Sequence, residues 1–353
     1  MNGAGPSPPE PVAGIRAKQV GAWFASHVPA ARPPLSFELF AGGRSNLTFL
    51  VRDAAGAAWV LRRPPLSGVL PSAHDMAREH RIISALRGTA VPVPGAVGLC
   101  QDPAVTGAPF YVMDCVDGVV PRDQATVERS FDPGQRAAVT ASVVDTLVAL
   151  HGVDPDAVGL GELGRREAYV ERQLRRWGRQ WEQSKTRELP AIEEVGRRLA
   201  ARVPPQQGLA AIVHGDYRLD NLIFSPAGEV AAVLDWELCT LGDPLADVGL
   251  LMVYWSEPGD QVQPLSSAPT AVPGFPSRAE VAAAYAAGSG RDLSELDFYV
   301  ALGYWKLAVI LEGVYARSAM GAYGRGDDSY SSFAAVVAQL AERAAEATAH
   351  AGR

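Results

Sequence analysis

The sequence predicts an α+β fold in which a small antiparallel sheet comes before a larger helical region. Short β-type runs separated by turn residues dominate up to residue 117, whereas long apolar patterns with helical spacing follow. The chain has 353 residues, of which 48% are apolar, so it can bury a core in each of two lobes. We therefore expect an N-terminal sheet lobe with one main helix and a larger helical C-terminal lobe.

The first lobe is predicted over residues 20–117. Residues 1–19 are rich in proline and glycine, which is typical of a flexible tail, and a short helix is expected from Val20 to Val28. Three β-type runs follow, separated by the turn-forming letters AGGRS and DAAG, so they predict an antiparallel meander: LSFELF, NLTFLVRD and AAWVLRRPP. A helix is predicted from Ser72 to Leu86. Two more strands, in VPVPGAVGLC and APFYVMDCV, flank a predicted turn at DPAVTG.

The second lobe is predicted over residues 118–353, with Gly118 as the hinge. Helices are expected at 133–151, 167–184 and 191–202, and further helices near Leu245, Glu280, Leu296 and Ser331. A buried strand from Leu209 to Val213 and a hairpin turning at SPAG lie between these two groups. The proline-rich stretch 257–276 is predicted to be a long loop.

Composition excludes several classes of function. The formal charge of −7 disfavours a nucleic-acid partner, because such binding needs a basic surface. No apolar run is expected to reach the about 20 residues of a membrane helix, so no membrane partner is expected. The N-terminus lacks the order of a secretory signal, and the three cysteines show no disulfide or zinc spacing. We expect a protein of the reducing cytoplasm.

Three polar residues between Val213 and Glu237 have the spacing that phosphoryl transfer requires. Asp216 follows a glycine turn and is the candidate catalytic base. Asn221 opens a strand, and the hairpin returns to place Asp235 beside it, so this pair can supply oxygen ligands to Mg²⁺. The alternative is that Asp216 and Asn221 only cap backbone groups in a turn.

The motifs HGDYRLDN and VLDWE resemble the catalytic loop and metal aspartate of the aminoglycoside phosphotransferase and choline kinase superfamily, over roughly residues 30–260. This resemblance implies a protein-kinase-like bilobal fold with ATP and Mg²⁺ as cofactors. It gives Asp216 the catalytic role, and Asn221 and Asp235 the metal-binding role. Trp236 and Glu237 replace the Phe and Gly of protein kinases, which indicates the branch that acts on small molecules.

The nucleotide is expected to bind the first lobe. Backbone N–H groups in a glycine turn can approach phosphates closely, and the turn between the first two strands resembles the nucleotide-positioning loop of the family, with candidate residues Gly42, Gly43, Arg44, Ser45 and Asn46. Arg62 aligns with the phosphate-binding lysine of most relatives. Only one of Arg62 and Arg63 can face the nucleotide, because neighbours in a strand point to opposite sides.

Two further parts of the first lobe are nucleotide candidates. Glu79, on the helix after the third strand, is expected to pair with Arg62, although it could also belong to a solvated helix face. The segment PFYVMDCVDG resembles the inter-lobe hinge whose backbone bonds adenine. It offers Met113, Asp114, Cys115 and Val116, of which Met113 could equally be a core residue.

Residues outside these motifs are given mainly structural roles. His214 is expected to pack and hydrogen bond within the loop, Asp243 to cap a helix, and Asp247 to brace the catalytic loop. In the helix 167–184 the residues Val170, Leu174, Trp177 and Trp181 form an apolar stripe predicted to be core. Four arginines lie off the stripe and could contact an anionic substrate or form a solvated face: Arg172, Arg175, Arg176 and Arg179.

The acceptor is expected to be a hydroxyl group of a small molecule. The motifs above, with RRPP, REHRII and VPVP, look most similar to the kinase-like domain fused to acyl-CoA dehydrogenases in animals, which implies a hydroxyacyl-CoA acceptor. One alternative is an aminoglycoside O-phosphotransferase. A second is a pseudokinase or nucleotide-binding scaffold, because Arg62 stands where relatives have lysine.

Overall fold

The structure of the protein is a computed structural model that describes residues 12–40, 46–66, 75–260, 267–319 and 333–350. The chain divides into two units, Met1–Asp117 and Gly118–Arg353. The first contains an antiparallel sheet and the second is mostly helical, so the predicted α+β class is confirmed.

Five antiparallel strands form the described sheet of the first unit in the order β1-β2-β3-β5-β4. Its elements are α1 (Ala17–His27), β1 (Ser36–Leu39), β2 (Leu47–Arg52), β3 (Ala58–Arg63), α2 (Met76–Leu86), β4 (Ala96–Cys100), α3 (Pro103–Thr106) and β5 (Phe110–Asp114). The segment expected to be a turn at 102–107 therefore contains the short helix α3, which Asp102 caps by accepting a hydrogen bond from the N–H of Ala104.

Alternation along the strands gives this sheet two different faces. One face carries Phe49, Trp59, Leu61 and Phe110, which pack with Trp23 of α1 in a single buried cluster. The opposite face of β3 carries Val60 and Arg62, paired in register with Met113 and Tyr111 of β5. The apolar side therefore forms the core, whereas the other side presents the partly buried cation of Arg62.

The second unit contains seven α-helices of ten residues or more in its described part. They are α5 (Pro133–Gly152), α6 (Tyr169–Ser184), α7 (Pro190–Ala201), α8 (Leu245–Tyr254), α9 (Arg278–Ser289), α10 (Leu296–Ala319) and α11 (Phe333–His350). A short helix that the sequence did not predict, α4 (Gln124–Ser130), precedes them. The expected apolar stripe of α6 is buried, with Val170, Leu174, Trp177 and Trp181 all less than 9% exposed.

Two short antiparallel pairs lie among these helices. The strands are β6 (Ala211–Val213), β7 (Leu222–Phe224), β8 (Val230–Val233) and β9 (Thr240–Gly242); β6 pairs with β9, and β7 with β8. The predicted strand from Leu209 was wrong at its start, because Leu209 is 84% exposed and the pairing begins at Ala211. Together the two pairs place the segment 214–221 and residue 235 at strand ends.

Helix α10 contains an apolar run of membrane-spanning length, which was not expected from the sequence. Residues 296–318 are long and apolar enough to cross a membrane, yet 72% of this window is buried inside the protein. Helix α10 packs against α6, α7, α8 and α11, so its apolar character is explained by a position in the core of the second unit.

Helices α8 and α10 approach closely because glycines stand at their contact. A Cβ added at Gly249 of α8 would lie 2.4 Å from the backbone carbon of Tyr299, and one at Gly303 would lie 3.0 Å from Val253. Helix α8 begins after Asp243, which accepts hydrogen bonds from the N–H of Leu245 at 3.0 Å and from the hydroxyl of Tyr299 at 2.7 Å. Asp243 therefore bonds the first N–H of α8 as expected, although the cap position itself is occupied by Pro244.

We predict that Gly249→Ala lowers the free energy of unfolding by about 1–3 kcal/mol, because the new methyl group must push α8 and α10 apart. The matched control is Gly178→Ala in α6, where no atom lies within 4 Å of the added Cβ. This second change should raise stability by up to about 1 kcal/mol, because alanine favours a helix over glycine. Urea unfolding measures both effects, and equal midpoints for the two variants would contradict the packing described.

Candidate active site

The loop from His214 to Asn221 joins β6 to β7 and presents the carboxylate of Asp216. Gly215 has φ of +84°, and a Cβ there would lie 2.8 Å from the carbonyl oxygen of Leu238, so only glycine fits this turn without strain. The side chain of Asn221 donates to both the carbonyl oxygen of Asp216 at 2.8 Å and its carboxylate at 3.0 Å. Asp216 and Asn221, predicted from spacing alone, are therefore in direct contact.

The carboxylate of Asp216 accepts two hydrogen bonds besides the one from Asn221. The Nε of Arg218 donates to Oδ2 at 3.2 Å, and the hydroxyl of Tyr254 donates to Oδ1 at 3.1 Å. Arg218 also donates to Asp220 at 2.8 Å. Burial opposes the charge of the Arg218 guanidinium, but Asp216, Tyr254 and Asp220 together outweigh it and raise the pKa of Arg218 above its usual value. Arg218 is thus a permanent cation beside the candidate base.

A buried carboxylate, Asp247 of α8, fixes the backbone before Asp216. It accepts hydrogen bonds from the N–H of His214 at 2.6 Å and of Gly215 at 2.8 Å, and its Oδ2 lies 3.3 Å from Nε2 of His151. Burial alone raises the pKa of Asp247, but hydrogen bonding to His151 and Gly215 outweighs it, and the pKa lies below its ordinary value. This ionised group braces the loop that carries Asp216, as expected.

The imidazole of His214 is buried and bonded at both nitrogens. Nδ1 accepts from the N–H of Asp216 at 3.2 Å, so Nε2 carries the proton that bonds the carbonyl oxygen of Leu234 at 2.8 Å. The ring thereby links the loop to the residue before Asp235. The structural role expected for His214 is confirmed.

The other metal candidate, Asp235, follows β8. Leu222 pairs with Val233, and the N–H of Leu234 donates to the carbonyl oxygen of Asn221 at 2.8 Å, so Asn221 and Asp235 lie at the same end of the hairpin. Asp235 adopts φ of +63°, a backbone conformation that non-glycine residues hold mostly where the surroundings impose it. This conformation is often found at functional sites.

The donor chemistry of this pair fits Mg²⁺. The amide nitrogen of Asn221 bonds to Asp216, which leaves its oxygen as a hard ligand, and Asp235 supplies a carboxylate. Among the described residues there is no group of three His, Cys, Asp or Glu side chains able to hold a metal. A site of two protein ligands suits Mg²⁺, which commonly takes the rest of its shell from phosphates and water.

Lys306 was missed by the sequence reasoning. It lies on α10 and donates from Nζ to the carbonyl oxygen of Gly215 at 2.7 Å, and its ammonium lies 5.6 Å from the centre of the Trp177 ring. Burial lowers the pKa of Lys306, and the nearby charges of Asp216 and Asp247 oppose that shift. Tyr254 was also missed, because neither residue belongs to the motif that revealed Asp216.

The arginines of α6 are only partly associated with this loop. Arg175, Arg176 and Arg179 are exposed, and Arg172 is half-buried and donates to the carbonyl oxygen of Arg165 at 2.6 Å. Only Arg176 has a described link to the loop, because its guanidinium lies 5.0 Å from the Trp177 ring that also contacts Lys306. A substrate role for the four arginines stays a prediction.

A small open pocket lies beside the candidate base. It is lined by Arg218, Leu219, Asp220, Leu251, Tyr254, Trp255, Ser256, Ser267 and Pro269. Two of these residues, Arg218 and Tyr254, donate to the two different oxygens of Asp216. The pocket has room for little more than a water molecule, and it lies next to two residues that hold this carboxylate.

The candidate nucleotide residues of the first unit form a separate group. Nε of Arg62 lies 3.0 Å from the buried Glu79, which also accepts hydrogen bonds from Asn46 at 3.2 Å and from the hydroxyl of Tyr111 at 3.1 Å. The expected pair of Arg62 and Glu79 therefore forms. Arg63, on the other face, donates instead to the carbonyl oxygens of Gly14, Pro64 and Thr106 and is structural.

The remaining nucleotide candidates vary in environment. Gly42, Gly43, Arg44 and Ser45 lie outside the described residues. Met113 is buried in β5 and Asp114 is exposed, with its N–H bonded to the carbonyl oxygen of Gly95. Cys115 and Val116 are half-buried, and burial raises the pKa of the Cys115 thiol. The contact of these residues with adenine stays a prediction.

Comparison with known sequences identifies relatives over most of the chain. The sequence pattern of the phosphotransferase enzyme family, APH, matches residues 36–299. Acyl-CoA dehydrogenase family member 10 of Mus musculus is 37% identical over 82% of this chain, which covers 27% of that protein. Acyl-CoA dehydrogenase family member 11 of Homo sapiens is 34% identical over 87% of this chain and 39% of its own length. The chain thus spans less than half the length of these relatives.

Comparison with solved structures gives the same assignment. A Ralstonia eutropha protein, provisionally assigned as an aminoglycoside phosphotransferase, is 34% identical, with a TM-score of 0.79 over 94% of this chain and 98% of its own. The GDP and kanamycin complex of an aminoglycoside phosphotransferase has a TM-score of 0.62 at 13% identity, over 93% of this chain and 98% of its own, which shows the fold alone. The chain belongs to the APH phosphotransferase enzyme family and has its kinase-like fold, which supports a small-molecule phosphotransferase.

Proposed function

We propose that the protein is an ATP- and Mg²⁺-dependent phosphotransferase that transfers the γ-phosphate to a hydroxyl group of a small molecule. The observation that carries this proposal is that the Asp216 carboxylate accepts hydrogen bonds from Arg218, Asn221 and Tyr254. One of these donors, Asn221, lies at the same end of the hairpin as Asp235. Phosphoryl transfer asks a protein mainly for positioning and charge compensation. Fixing one carboxylate through several rigid elements is the kind of arrangement that this chemistry uses.

In the proposed reaction Asp216 accepts the proton of the acceptor hydroxyl. The hydroxyl oxygen forms a bond to the γ-phosphorus, the bond between that phosphorus and the bridging oxygen breaks, and ADP leaves. Arg218 keeps a positive charge next to Asp216 throughout, and Lys306 holds the peptide that precedes it. These two cations stabilise the loop while the base changes its protonation state.

Asn221 and Asp235 would hold Mg²⁺, which compensates charge on the phosphate oxygens when bound. In the first unit, Arg62 would neutralise phosphate oxygens while Glu79 orients its guanidinium, in the role that a lysine has in most relatives. Glu79 is itself held by Asn46 and Tyr111, so the cation rests on a fixed partner. This arrangement favours a functional nucleotide site over a scaffold that has lost its cation.

For the acceptor we propose a hydroxyacyl-CoA. The support is that the relatives are named as acyl-CoA dehydrogenases, and that the region matching this chain is a kinase-like domain fused to a dehydrogenase. A thioester of CoA carries several negative charges, which the exposed arginines of α6, Arg175, Arg176 and Arg179, could contact. The second candidate is an aminoglycoside acceptor, favoured by the provisional assignment of the 34% identical Ralstonia structure.

The acceptor proposal is tested by incubating the purified protein with Mg-ATP and three separate acceptors, 3-hydroxybutyryl-CoA, kanamycin and choline. We expect ADP release that depends on the CoA ester, with a phosphate added to that ester by mass spectrometry. Transfer to kanamycin alone would favour the second candidate. Binding of Mg-ATP without transfer to any acceptor would indicate a nucleotide-binding scaffold.

We predict that Asp216→Asn lowers kcat by roughly 10²- to 10⁴-fold while Mg-ATP still binds, because the amide cannot accept the hydroxyl proton. Steady-state ADP release with the acceptor identified above measures kcat, and calorimetry measures nucleotide binding. The control is Asp292→Asn, which alters an exposed aspartate whose bonds within the described part of the chain are to the local Ser294. Its kcat should match the wild type. An active Asp216→Asn enzyme would refute the assignment of the base.

We predict that Asp235→Ala weakens binding of Mg-ATP at least tenfold but leaves binding of metal-free ATP nearly unchanged, because the lost carboxylate binds the metal rather than the nucleotide. Calorimetric titration with and without Mg²⁺ separates the two quantities. A uniform loss of affinity in both titrations would show that Asp235 acts on the fold or on the nucleotide directly. Circular dichroism confirms that the variant is folded.

A further inference from the structure

The two oxygens of the Asp216 carboxylate have different surroundings. Oδ2 accepts two hydrogen bonds, from Nε of Arg218 at 3.2 Å and from Nδ2 of Asn221 at 3.0 Å. Oδ1 accepts a single bond from a described residue, from the hydroxyl of Tyr254 at 3.1 Å. Both donors to Oδ2 belong to the same loop as Asp216, whereas Tyr254 is the last residue of α8. Oδ1 is therefore the oxygen that an incoming group can reach with fewer bonds to displace.

The group that Tyr254 presents to Oδ1 is a hydroxyl, the same kind of group as the proposed phosphate acceptor. If Asp216 is the base, as the proposed function requires, an acceptor hydroxyl must donate a hydrogen bond to this carboxylate before its proton is transferred. The phenol of Tyr254 is a hydroxyl that already makes this bond. Burial, followed by the charge of Asp216, raises the pKa of Tyr254 well above its ordinary value, so at neutral pH the phenol remains a donor.

The surroundings of Tyr254 place this bond at the mouth of the pocket described above. The guanidinium of Arg218 lies 5.2 Å from the centre of the Tyr254 ring, and both residues line the pocket with Asp220 and Trp255. Tyr254 is half-buried, and its hydroxyl and the guanidinium of Arg218 are two groups of the pocket lining that bond to the candidate base. An acceptor that approaches Oδ1 therefore competes with this hydroxyl for the same oxygen.

We propose that Tyr254 is an acceptor gate. Its hydroxyl makes the hydrogen bond to Oδ1 of Asp216 that the acceptor hydroxyl must make, so this bond has to break before phosphate transfer. This proposal rests on the proposed function. The gate excludes water from Oδ1 when no acceptor is present, and it selects acceptors whose binding moves the phenol away from that oxygen. Discrimination between water and the acceptor therefore depends on one hydroxyl group.

The test is Tyr254→Phe, which removes the hydroxyl and keeps the ring. Without the hydroxyl a water molecule can donate to Oδ1. The water oxygen then bonds to the γ-phosphorus of ATP, the bond between that phosphorus and the bridging oxygen breaks, Asp216 takes a proton from the water, and ADP leaves.

We expect the hydrolysis of Mg-ATP by Tyr254→Phe without acceptor to rise at least fivefold. With 3-hydroxybutyryl-CoA, or with kanamycin if that is the acceptor, KM should fall about tenfold while kcat changes less than threefold, because one competing hydrogen bond has been removed.

The matched control is Ser294→Ala, which removes another hydroxyl that donates to a carboxylate, that of Asp292 at 2.8 Å. Both residues are exposed and neither bonds to Asp216 in the described part of the chain, so we expect the hydrolysis rate and KM of the wild type. If Tyr254→Phe melts far below the wild type, Tyr254→Leu provides a second variant without the hydroxyl, and it should show the same rise in hydrolysis.

Two results would overturn the gate. Hydrolysis and KM within twofold of the wild type would show that the hydroxyl does not compete with water or acceptor. A fall in kcat at constant KM would show that Tyr254 only orients Asp216. In either case transfer by the wild type would leave the proposed function intact, whereas a wild type that transfers phosphate to no acceptor would overturn both.

Discussion

A single buried carboxylate, that of Asp247, determines the geometry on which the candidate active site depends. It accepts the N–H groups of His214 and Gly215, which would otherwise be unpaired donors in a buried turn, and it contacts His151 of α5. A buried charge is tolerated only when its hydrogen bonds are complete, so Asp247 ties the loop to two helices in one arrangement. Because its pKa is lowered, this stabilisation is present above the ordinary carboxyl pKa and is lost as the pH falls through the lowered one.

The peptide group between Gly215 and Asp216 shows how several distant elements cooperate. Lys306 of α10 bonds the carbonyl oxygen of this peptide, and the ring of His214 bonds its N–H. Both the carbonyl oxygen and the N–H of this peptide are therefore held, which fixes the position of the Cα of Asp216. The close contact of α8 and α10 at Gly249 sets where Asp247 and Lys306 stand. Helix packing thus sets the position of the proposed catalytic base, because phosphoryl transfer requires accurate placement of one carboxylate.

Sequence reasoning predicted the parts of this arrangement that are local. The spacing within the motif identified Asp216 and Asn221 as candidates, and strand alternation separated Arg62 from Arg63, because both rules act over a few residues. The contact between Asp216 and Asn221 was found only in the structure. Tyr254 and Lys306 could not be found in this way. Their partners lie 38 and 91 residues away, and helix packing rather than a motif brings them to the loop. The start of the strand at Leu209 was misplaced because an apolar side chain does not by itself show burial.

Asp247 holds the loop that presents Asp216, the proposed catalytic base. The most direct measurement is the rate of phosphate transfer by Asp247→Asn, with Mg-ATP binding followed in parallel by calorimetry. The amide can accept only one of the two backbone N–H groups and turns its own N–H₂ toward the other, so the loop must move. We predict a folded protein whose kcat is at least tenfold lower and whose affinity for Mg-ATP is nearly unchanged. A folded variant with wild-type kcat would contradict this account.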